Sequence, residues 1–333
     1  MIPNHPLATK ILQLGADDHV AFDAVALDVF YEQARHNPLY AQYLSLIGIC
    51  PDDVTAVADI PYLPIPFFKN RDIRTGKWVA ERYFESSGTS GDATSRHALY
   101  SADWYAQIAR LGFRACYGFG PEHFCWLGLL PSYLERQNSS LVAMTDDFTR
   151  LSNYRELCGF FLDDTVALVQ RIKELEQKQI PTILIGVSFA LLDLAALGAD
   201  LGHVIVIETG GMKGRRRELT REELHEQLCS GLQTPQIGSE YGMTELTSQG
   251  YAHRAGVFRA APTMRVSTRQ ITDPLAPERI GRTGALNIID LGNLFTCAFV
   301  GTDDLGRTHA DGTFEVLGRL DNSEIRGCNL MVM

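Results

Sequence analysis

The chain has few features of a membrane-spanning or disulfide-bonded protein. No uncharged apolar stretch reaches the roughly 18 to 20 residues that a membrane span needs. The best candidate, 179–192, is short and contains Pro181 and Gly186. The start of the chain, 1–6, lacks the basic and apolar regions of a signal peptide. The seven cysteines are an odd number, widely spaced and without a CxxC pair, so we expect reduced thiols in a cytoplasmic protein.

The sequence also has too few basic residues for a general nucleic-acid-binding protein. Its 30 Lys and Arg residues against 40 Asp and Glu residues give a net charge of −10, whereas affinity for nucleic acid comes from massed Lys and Arg. The dense basic run at 213–217 is interpreted as a solvated loop. Hydrophobic residues make up 45% and charged residues 21% of the chain, a balance that excludes a disordered chain and permits a sizeable core.

The middle of the sequence predicts a parallel α/β core. The predicted strands are 182–186, 203–207 and 236–238, and the predicted helices are 163–178, 189–197 and one that opens at Thr220. Glu223, three residues after Thr220, completes a capping box. In helix 163–178 we expect Val166 on the buried side, together with Val169, Ile172 and Leu175. The alternation of strand and helix implies parallel strands joined by right-handed crossovers.

The chain divides into four predicted parts around this core. Residues 1–80 are interpreted as a mostly helical N-terminal lobe that ends in a proline-rich extended run. The core occupies 81–255. Short apolar runs punctuated by Gly, Asp and Pro then predict a small antiparallel sheet or barrel over 256–317. A final segment, 318–333, forms a tail.

Polar and small residues cluster where the predicted parallel strands end. Ligands of parallel α/β sheets bind beyond the carboxyl ends of the strands, and here these ends are 186–188, 208–211 and 239–242. The small residues let a backbone approach a ligand closely. Ordinary turns would also explain any single glycine. A binding site is indicated because small residues occur at all three strand ends.

The run Ser86-Ser87-Gly88-Thr89-Ser90-Gly91 offers backbone N–H groups and hydroxyls that could wrap a phosphate. It is not a Walker A sequence, because no GKS or GKT follows. A flexible linker is the alternative. The aromatic residues Tyr83 and Phe84 just before it and the helical pattern at 104–114 after it argue against that alternative.

Two further motifs carry acidic residues. In Tyr241-Gly242-Met243-Thr244-Glu245 a hydroxyl and a carboxylate at a strand end suit a phosphate and its magnesium ion. The segment 318–322 (GRLDN) follows Thr302-Asp303-Asp304, where a carboxylate could bind both hydroxyls of a ribose and an arginine could add charge-assisted bonds. Turn residues and surface salt bridges are the alternative interpretation of each motif.

Taken in order, these motifs resemble the adenylate-forming superfamily of acyl and aryl ligases. The stretches 130–141, 208–225, 239–246 and 318–331 are most similar to the acyl-protein synthetase of bacterial bioluminescence and its shorter relatives, a group related to phenylacetate–coenzyme A ligase. The resemblance covers the chain from about residue 60 to the end. It implies a nucleotide-binding α/β core with an appended antiparallel sheet, like the large N-terminal domain of these enzymes.

The resemblance also implies roles for individual residues. Those implied to hold the triphosphate are Ser86, Ser87, Gly88, Thr89, Ser90 and Gly91, and those implied to flank the adenine are Gly210, Gly211, Met212, Glu240 and Tyr241, with Gly242 in the same motif. Thr244 would contact the α-phosphate, Glu245 would hold Mg²⁺, Asp304 and Arg319 would bind the ribose, and Asp321 would be the hinge.

Two departures from the family pattern stand out. Larger relatives usually carry a lysine soon after the phosphate loop, whereas here Arg96 is the nearest cation. Full-length relatives continue past the hinge into a cap domain that supplies a catalytic lysine. Only 12 residues follow Asp321 and none is lysine, so we expect no cap domain. The acyl-protein synthetase branch lacks the cap but carries an acyl-accepting cysteine near its C-terminus, and Cys328 matches that position.

The sequence therefore predicts ATP- and Mg²⁺-dependent activation of a carboxylic acid, with a fatty acid as the first expectation. The acyl group would pass from acyl-AMP to Cys328 and on to a partner such as a reductase or an acyltransferase. An inert buried thiol is the alternative for Cys328. Three other functions stay open: an acyl- or aryl-CoA ligase without its cap, an acyltransferase that takes a pre-activated donor, and a non-catalytic nucleotide-binding module. Phe124, Trp126 and Leu129 are candidates for the acyl pocket or for ordinary core.

Overall fold

The computed structural model describes residues 3–86, 94–130, 138–162, 164–210 and 219–320. The described α-helices are α1 (Pro6–Leu12), α2 (His19–His36), α3 (Pro38–Leu46), α4 (Phe67–Asn70), α5 (Ala102–Tyr117), α6 (Ser140–Leu151), α7 (Thr165–Gln177), α8 (Ser188–Ala195) and α9 (Arg221–Gly231). The described strands are β1 (Leu63–Pro64), β2 (Arg82–Glu85), β3 (Arg96–Leu99), β4 (Cys125–Leu129), β5 (Gly159–Phe160), β6 (Thr182–Val187), β7 (Ile205–Thr209), β8 (Gly238–Tyr241), β9 (Gly250–Ala252), β10 (Val257–Ala260), β11 (Met264–Arg269), β12 (Thr283–Asp290), β13 (Phe299–Thr308) and β14 (Phe314–Arg319).

The parallel core contains five strands in the order β5-β4-β6-β7-β8, of which β6, β7 and β8 correspond to the three predicted strands. Every residue of β6 is buried, as expected for a strand covered on both faces. The helices α7, α8 and α9 connect successive strands. Because these strands are parallel neighbours, their carboxyl ends lie along one edge of the sheet, which confirms the α/β class.

The antiparallel strands extend the same hydrogen-bonded sheet. Its order continues from β8 through β9, β10, β14, β13 and β12 to β11, and β1 pairs in parallel with β13. The joint is β10, which pairs with β9 on one side and with β14 on the other. The antiparallel part that the sequence predicts is therefore present and is connected to the core strand by strand. The hairpin β2–β3 forms a separate two-stranded sheet.

The N-terminal helices pack on the antiparallel strands. Phe30 of α2 and Tyr40 of α3 are fully buried and contact Phe299 of β13, with ring centroids 6.0 and 5.9 Å apart. The Gln33 side chain donates to the carbonyls of Asn293 and Leu294 and accepts from the amide of Ala298. One hydrophobic cluster thus joins helices and strands that are more than 250 residues apart in sequence.

Three local predictions differ from the structure in detail. Strand 236–238 is displaced to Gly238–Tyr241. Strand 203–207 is displaced to Ile205–Thr209, and the His203 side chain, which precedes the strand, lies 3.4 Å from the Glu176 carboxylate. Helix α7 buries Leu168, Ile172 and Leu175, and Val166 is 79% exposed. The prediction for Val166 was wrong because the buried stripe runs through 168, 172 and 175, at helical spacings of four and three.

The capping box of α9 is confirmed. The Glu223 amide donates to Thr220 Oγ1 at 3.2 Å, and the Thr220 amide donates to Glu223 Oε2 at 2.8 Å. Among the residues that the structure describes, no helix has the length and apolar character needed to cross a membrane.

Candidate functional site

The three predicted strand ends meet at one edge of the sheet. Ser188, directly after β6, donates its hydroxyl to the Gly210 carbonyl at 2.8 Å and to Glu208 Oε2 at 3.2 Å. Gly210 follows β7 and has a φ of +64°, a conformation that favours glycine. The end of β8 lies beside β7, with Thr209 paired with Glu240. The interpretation of these glycine-rich ends as one surface is therefore correct.

Glu208 anchors this edge through a buried charged network that the sequence reasoning missed. Arg221 Nη1 donates to Glu208 Oε1 at 2.8 Å, and His225 Nε2 lies 3.6 Å from the same oxygen. Burial opposes ionisation of Glu208, but its bond with His225 and the charge of Arg221 outweigh it and lower its pKa. A carboxylate at a strand end and a histidine on the following helix are the only signals that the sequence offered.

The side chain of Glu240 lies under the same edge. Its carboxyl accepts a hydrogen bond from the Thr209 hydroxyl, and it is 8% exposed. Burial and the neighbouring negative charge of Glu208 raise the pKa of Glu240 to about 7. A Cβ on Gly242 would lie 2.4 Å from Glu240 Oε1, so a side chain at 242 would displace the Glu240 carboxyl group.

Tyr241, Asp304 and Arg319 form a second contact group. The Tyr241 hydroxyl donates to Asp304 Oδ2 at 2.8 Å, and Arg319 Nε donates to Asp304 Oδ1 at 3.3 Å. The ladder between β13 and β14 pairs Asp304 with Arg319 directly. The Arg319 side chain is 81% exposed. Three residues assigned to nucleotide binding by resemblance thus touch one another, although they come from three different strands.

Glu245 lies beside the stem of the serine- and glycine-rich loop. It is 6% exposed, and its carboxylate accepts a hydrogen bond from the Ser95 side chain. Burial raises the pKa of Glu245, and the bond from Ser95 and the charge of Arg319 oppose that rise. The Ser95 amide donates to Ser86 Oγ at 2.9 Å, and the Ser86 amide donates to the Ser95 carbonyl at 3.0 Å. The stem of the loop and the Thr244–Glu245 pair therefore belong to one cluster.

The segment that carries Glu245 is fixed by a buried carboxylate. Asp290 accepts from the amides of Thr247, Ser248 and Gly292 and from the Ser248 hydroxyl, at 2.6 to 2.9 Å. Asn293 Nδ2 donates to the Glu245 carbonyl at 2.8 Å. Asp290 and Asn293 carried no recognisable motif, since their partners at 245–248 are more than 40 residues away in sequence.

Several predicted site residues lie outside the described part of the chain. They are Ser87, Gly88, Thr89, Ser90, Gly91, Gly211, Met212, Asp321 and Cys328. The described members of the predicted site are Ser86, Gly210, Glu240, Tyr241, Gly242, Thr244, Glu245, Asp304 and Arg319. The geometry links Ser86 to Glu245 through Ser95, and Asp304 to both Tyr241 and Arg319.

Four other candidate residues have structural roles. Arg96 lies 3.2 Å from the Glu85 carboxylate and 4.2 Å above the Tyr83 ring, so the β2–β3 hairpin itself engages its charge. Phe124, Trp126 and Leu129 are buried, and the Trp126 indole packs on Phe113 and Phe148 and donates to the Pro121 carbonyl. Core packing accounts for these three side chains.

The residues present fit a magnesium ion that is held jointly with a nucleotide. No group of three or more His, Cys, Asp or Glu side chains that could bind a metal occurs in the described residues. Mg²⁺ in nucleotide enzymes is typically held by one or two carboxylates together with substrate phosphates. Glu245 offers one buried carboxylate beside the loop stem, and Arg319 and Asp304 lie close enough to affect its ionisation.

The family model described as "Acyl-protein synthetase, LuxE" matches residues 7–333. The chain belongs to this family. The match extends over nearly all of the chain, including the N-terminal helices, and supports the resemblance drawn from the motifs. No curated protein matches the chain.

Solved structures similar to this LuxE-family chain are adenylate-forming ligases. The 2-hydroxyisobutyryl-CoA ligase in its postadenylation state has a TM-score of 0.69 at 12% identity, covering 97% of this chain and 72% of that one. ATP-bound MatB from Rhodopseudomonas palustris has a TM-score of 0.53 at 17% identity, covering 71% of this chain. The chain spans about half the length of the MatB structures it matches. At these identities the similarity shows the fold.

Proposed function

We propose that the chain activates a carboxylic acid with ATP, forming acyl-AMP and pyrophosphate, and then passes the acyl group to a thiol. The observation that carries this proposal is the cluster of Glu245, the stem of the 86–91 loop and the Asp304–Arg319 pair. A carboxylate for a metal, a candidate phosphate loop and a candidate ribose carboxylate stand close together at the carboxyl edge of the sheet. Membership of the LuxE family supports the same chemistry.

The nucleotide would lie along this edge with its ribose at Asp304. The two oxygens of Asp304 could accept from the two ribose hydroxyls, and Tyr241 and Arg319 hold that carboxylate in place. The adenine would then face Gly210 and the Glu240–Tyr241 backbone. The exposed guanidinium of Arg319 is free to reach toward the sugar, since only its Nε contacts Asp304.

The first chemical step is a displacement at the α-phosphorus of ATP. A carboxylate oxygen of the acid forms the new P–O bond, and the bond to pyrophosphate breaks. No general base is required, because the acid is already ionised at neutral pH. The main barrier is the approach of two anions, and hydrogen-bond donors of the 86–91 loop and Thr244 would neutralise the developing charge. Mg²⁺ held by Glu245 would supply further neutralisation at the phosphates.

In the second step a thiolate attacks the carbonyl carbon of the mixed anhydride, and AMP leaves. We propose Cys328 as this nucleophile, with Arg326 favouring its thiolate form. The acid is proposed to be a fatty acid, and the final acceptor to be a partner protein such as a reductase or an acyltransferase. These assignments rest on the family resemblance, and a cytoplasmic location is part of the same proposal.

Exchange of labelled pyrophosphate into ATP tests the first step. The wild-type protein should catalyse exchange only when a suitable acid is added, and a panel of acids of increasing chain length would identify it. Glu245→Gln should reduce exchange about 100-fold or more, as expected for loss of a group that neutralises transition-state charge. Glu226→Gln, an exposed carboxylate on α9, is the matched control and should leave the rate unchanged.

If no acid supports exchange, the adenylation proposal is wrong. A transferase that uses a pre-activated donor, or a non-catalytic nucleotide-binding module, would then be the better interpretation. Exchange that proceeds normally, followed by transfer to coenzyme A without any protein adduct, would instead identify a CoA ligase.

Intact-mass measurement after incubation with ATP and acid tests the thioester. The wild type should gain one acyl mass that hydroxylamine removes, and Cys328→Ser should not. Cys158→Ser is the informative control, because Cys158 is partly exposed and its contact with the Cys125 thiol, Sγ–Sγ 3.9 Å, lowers its pKa. An adduct that survives in Cys328→Ser but disappears in Cys158→Ser would overturn the Cys328 assignment.

A further inference from the structure

We propose that His97 is a positioning residue that holds the Thr244–Glu245 backbone against the stem of the 86–91 loop, an inference that rests on the proposed adenylation function. His97 lies on β3, two residues after Ser95, whose side chain bonds Glu245. The β3 strand and the residue before it therefore contact the motif at two neighbouring points. Neither the composition nor the motifs of the sequence single out this histidine.

The hydrogen bonds of His97 fix its tautomer. Nδ1 lies 2.9 Å from the Thr244 carbonyl oxygen, and Nε2 lies 2.9 Å from Thr296 Oγ1. A carbonyl can only accept, so Nδ1 carries the proton and donates it. Nε2 then accepts from the Thr296 hydroxyl. Burial lowers the pKa of His97 to about 4, so this neutral form persists through the physiological range.

The far side of the imidazole is attached to a rigid part of the molecule. The Thr296 carbonyl accepts from Asn37 Nδ2 at 2.8 Å and from Thr75 Oγ1 at 2.6 Å. The Phe68 ring packs edge-on against the imidazole, with centroids 5.8 Å apart. His97 is 3% exposed. Burial and packing therefore hold the imidazole together with the Nε2 bond, so that Nδ1 faces the Thr244 carbonyl.

Two consecutive carbonyls of the motif are thus held by buried side chains. His97 binds that of Thr244, and Asn293 binds that of Glu245. With both peptide units fixed, the Thr244 side chain and the Glu245 carboxylate have a defined direction relative to the loop stem. A displacement of about 1 Å in such groups can cost about 100-fold in rate. The Nδ1 bond is therefore the one that matters for the rate.

Two amide substitutions test the two hydrogen bonds of the imidazole one at a time. In His97→Asn the amide nitrogen can occupy the place of Nδ1 and keep the bond to Thr244, while contact with Thr296 is lost. In His97→Gln the amide reaches the place of Nε2 and keeps contact with Thr296, while the Thr244 carbonyl loses its donor. We expect pyrophosphate exchange by His97→Asn within about 3-fold of wild type, and a fall in kcat of about 100-fold in His97→Gln.

The unfolding temperature and the KM for the acid are measured for the same variants. The positioning role predicts that His97→Gln loses kcat with little change in the KM for the acid, while the two variants unfold at similar temperatures. Thr296→Val, which removes only the Nε2 partner, should exchange like the wild type. Equal exchange by His97→Asn and His97→Gln, or rates that merely follow the unfolding temperature, would overturn the positioning role while wild-type exchange upholds the adenylation function. Absence of exchange in the wild type would overturn both.

Discussion

At the scale of single residues, the site contains two glutamates on neighbouring strands whose carboxyl groups have opposite ionisation states. Glu208 is kept ionised by His225 and Arg221, whereas burial keeps the Glu240 carboxyl protonated until the pH nears 7. Environment alone makes the difference, since both are glutamates at the carboxyl ends of neighbouring strands. The two have distinct consequences for stability.

Glu240 should make the protein less stable as the pH rises. Its folded pKa of about 7 lies above its ordinary value of 4.5, so the folded state binds the proton more tightly than the unfolded state does. The stabilising contribution is complete below pH 4.5 and is lost as the pH rises through 7. Relative to wild type, Glu240→Gln should gain on the order of 3 kcal/mol of unfolding free energy between pH 4.5 and 8.

Urea unfolding of wild type and Glu240→Gln across this pH range measures that difference. Glu226→Gln, an exposed glutamate, provides the control and should track the wild type. Parallel stability curves for wild type and Glu240→Gln would show that Glu240 titrates normally.

The hydroxyl of Tyr241 is expected to matter for nucleotide affinity. Tyr241→Phe removes the donor to Asp304 Oδ2 and leaves that carboxylate held by Arg319 alone. A hydrogen bond to a charged group contributes about 1.5 to 3 kcal/mol, so we expect the KM for ATP in the exchange assay to rise about 10-fold or more. An unchanged KM for ATP would place the ribose away from Asp304.

At the scale of elements, the sequence predicted what is local and missed what depends on distant partners. The short run at 182–186, with three consecutive apolar residues at 183–185, predicted β6 to within one residue. The capping box at Thr220 could also be predicted from the sequence, because its two partners are three residues apart. His97 could not be assigned, since its partner Thr244 is 147 residues away. The same holds for Asp290 and Asn293, which bond to the segment after Glu245.

The stability of the turn that follows β12 should depend on the negative charge of Asp290. Oδ2 accepts two backbone amides, and Oδ1 accepts one amide and one hydroxyl. In Asp290→Asn the new NH₂ group must face at least one N–H donor, whichever way the amide is turned. We expect a loss of about 2 to 4 kcal/mol in unfolding free energy, measured by urea denaturation. Asp273→Asn, in an exposed loop, should cost much less.

At the scale of the whole molecule, the N-terminal helices and the site depend on one another. The Gln33 and Asn37 side chains bond directly to the 293–298 segment, which in turn holds Glu245 and His97. A mostly helical N-terminal lobe over 1–80, ending in a proline-rich extended run, was the prediction from the sequence. The bonds across that boundary favour a single cooperative unit.

Phe30→Ala tests this cooperativity. Phe30 is fully buried between Tyr40 and Phe299, and such truncations cost about 3 to 5 kcal/mol. Heat inactivation of exchange and loss of far-UV circular dichroism should shift together to lower temperature. If exchange activity persisted above a first unfolding transition, the N-terminal helices would unfold as a lobe of their own.

The strand order leaves β5 and β11 at the two margins of the described sheet. The margin at β5 is only two residues long, Gly159–Phe160, too short to template a second chain. At the other margin, the charged side chains of β11 are engaged within the molecule: Arg265 pairs with Asp23, and Arg269 donates to the Leu286 and Thr302 carbonyls. Pairing of a second chain with the described sheet would thus have to start at β11, the longer of the two margins.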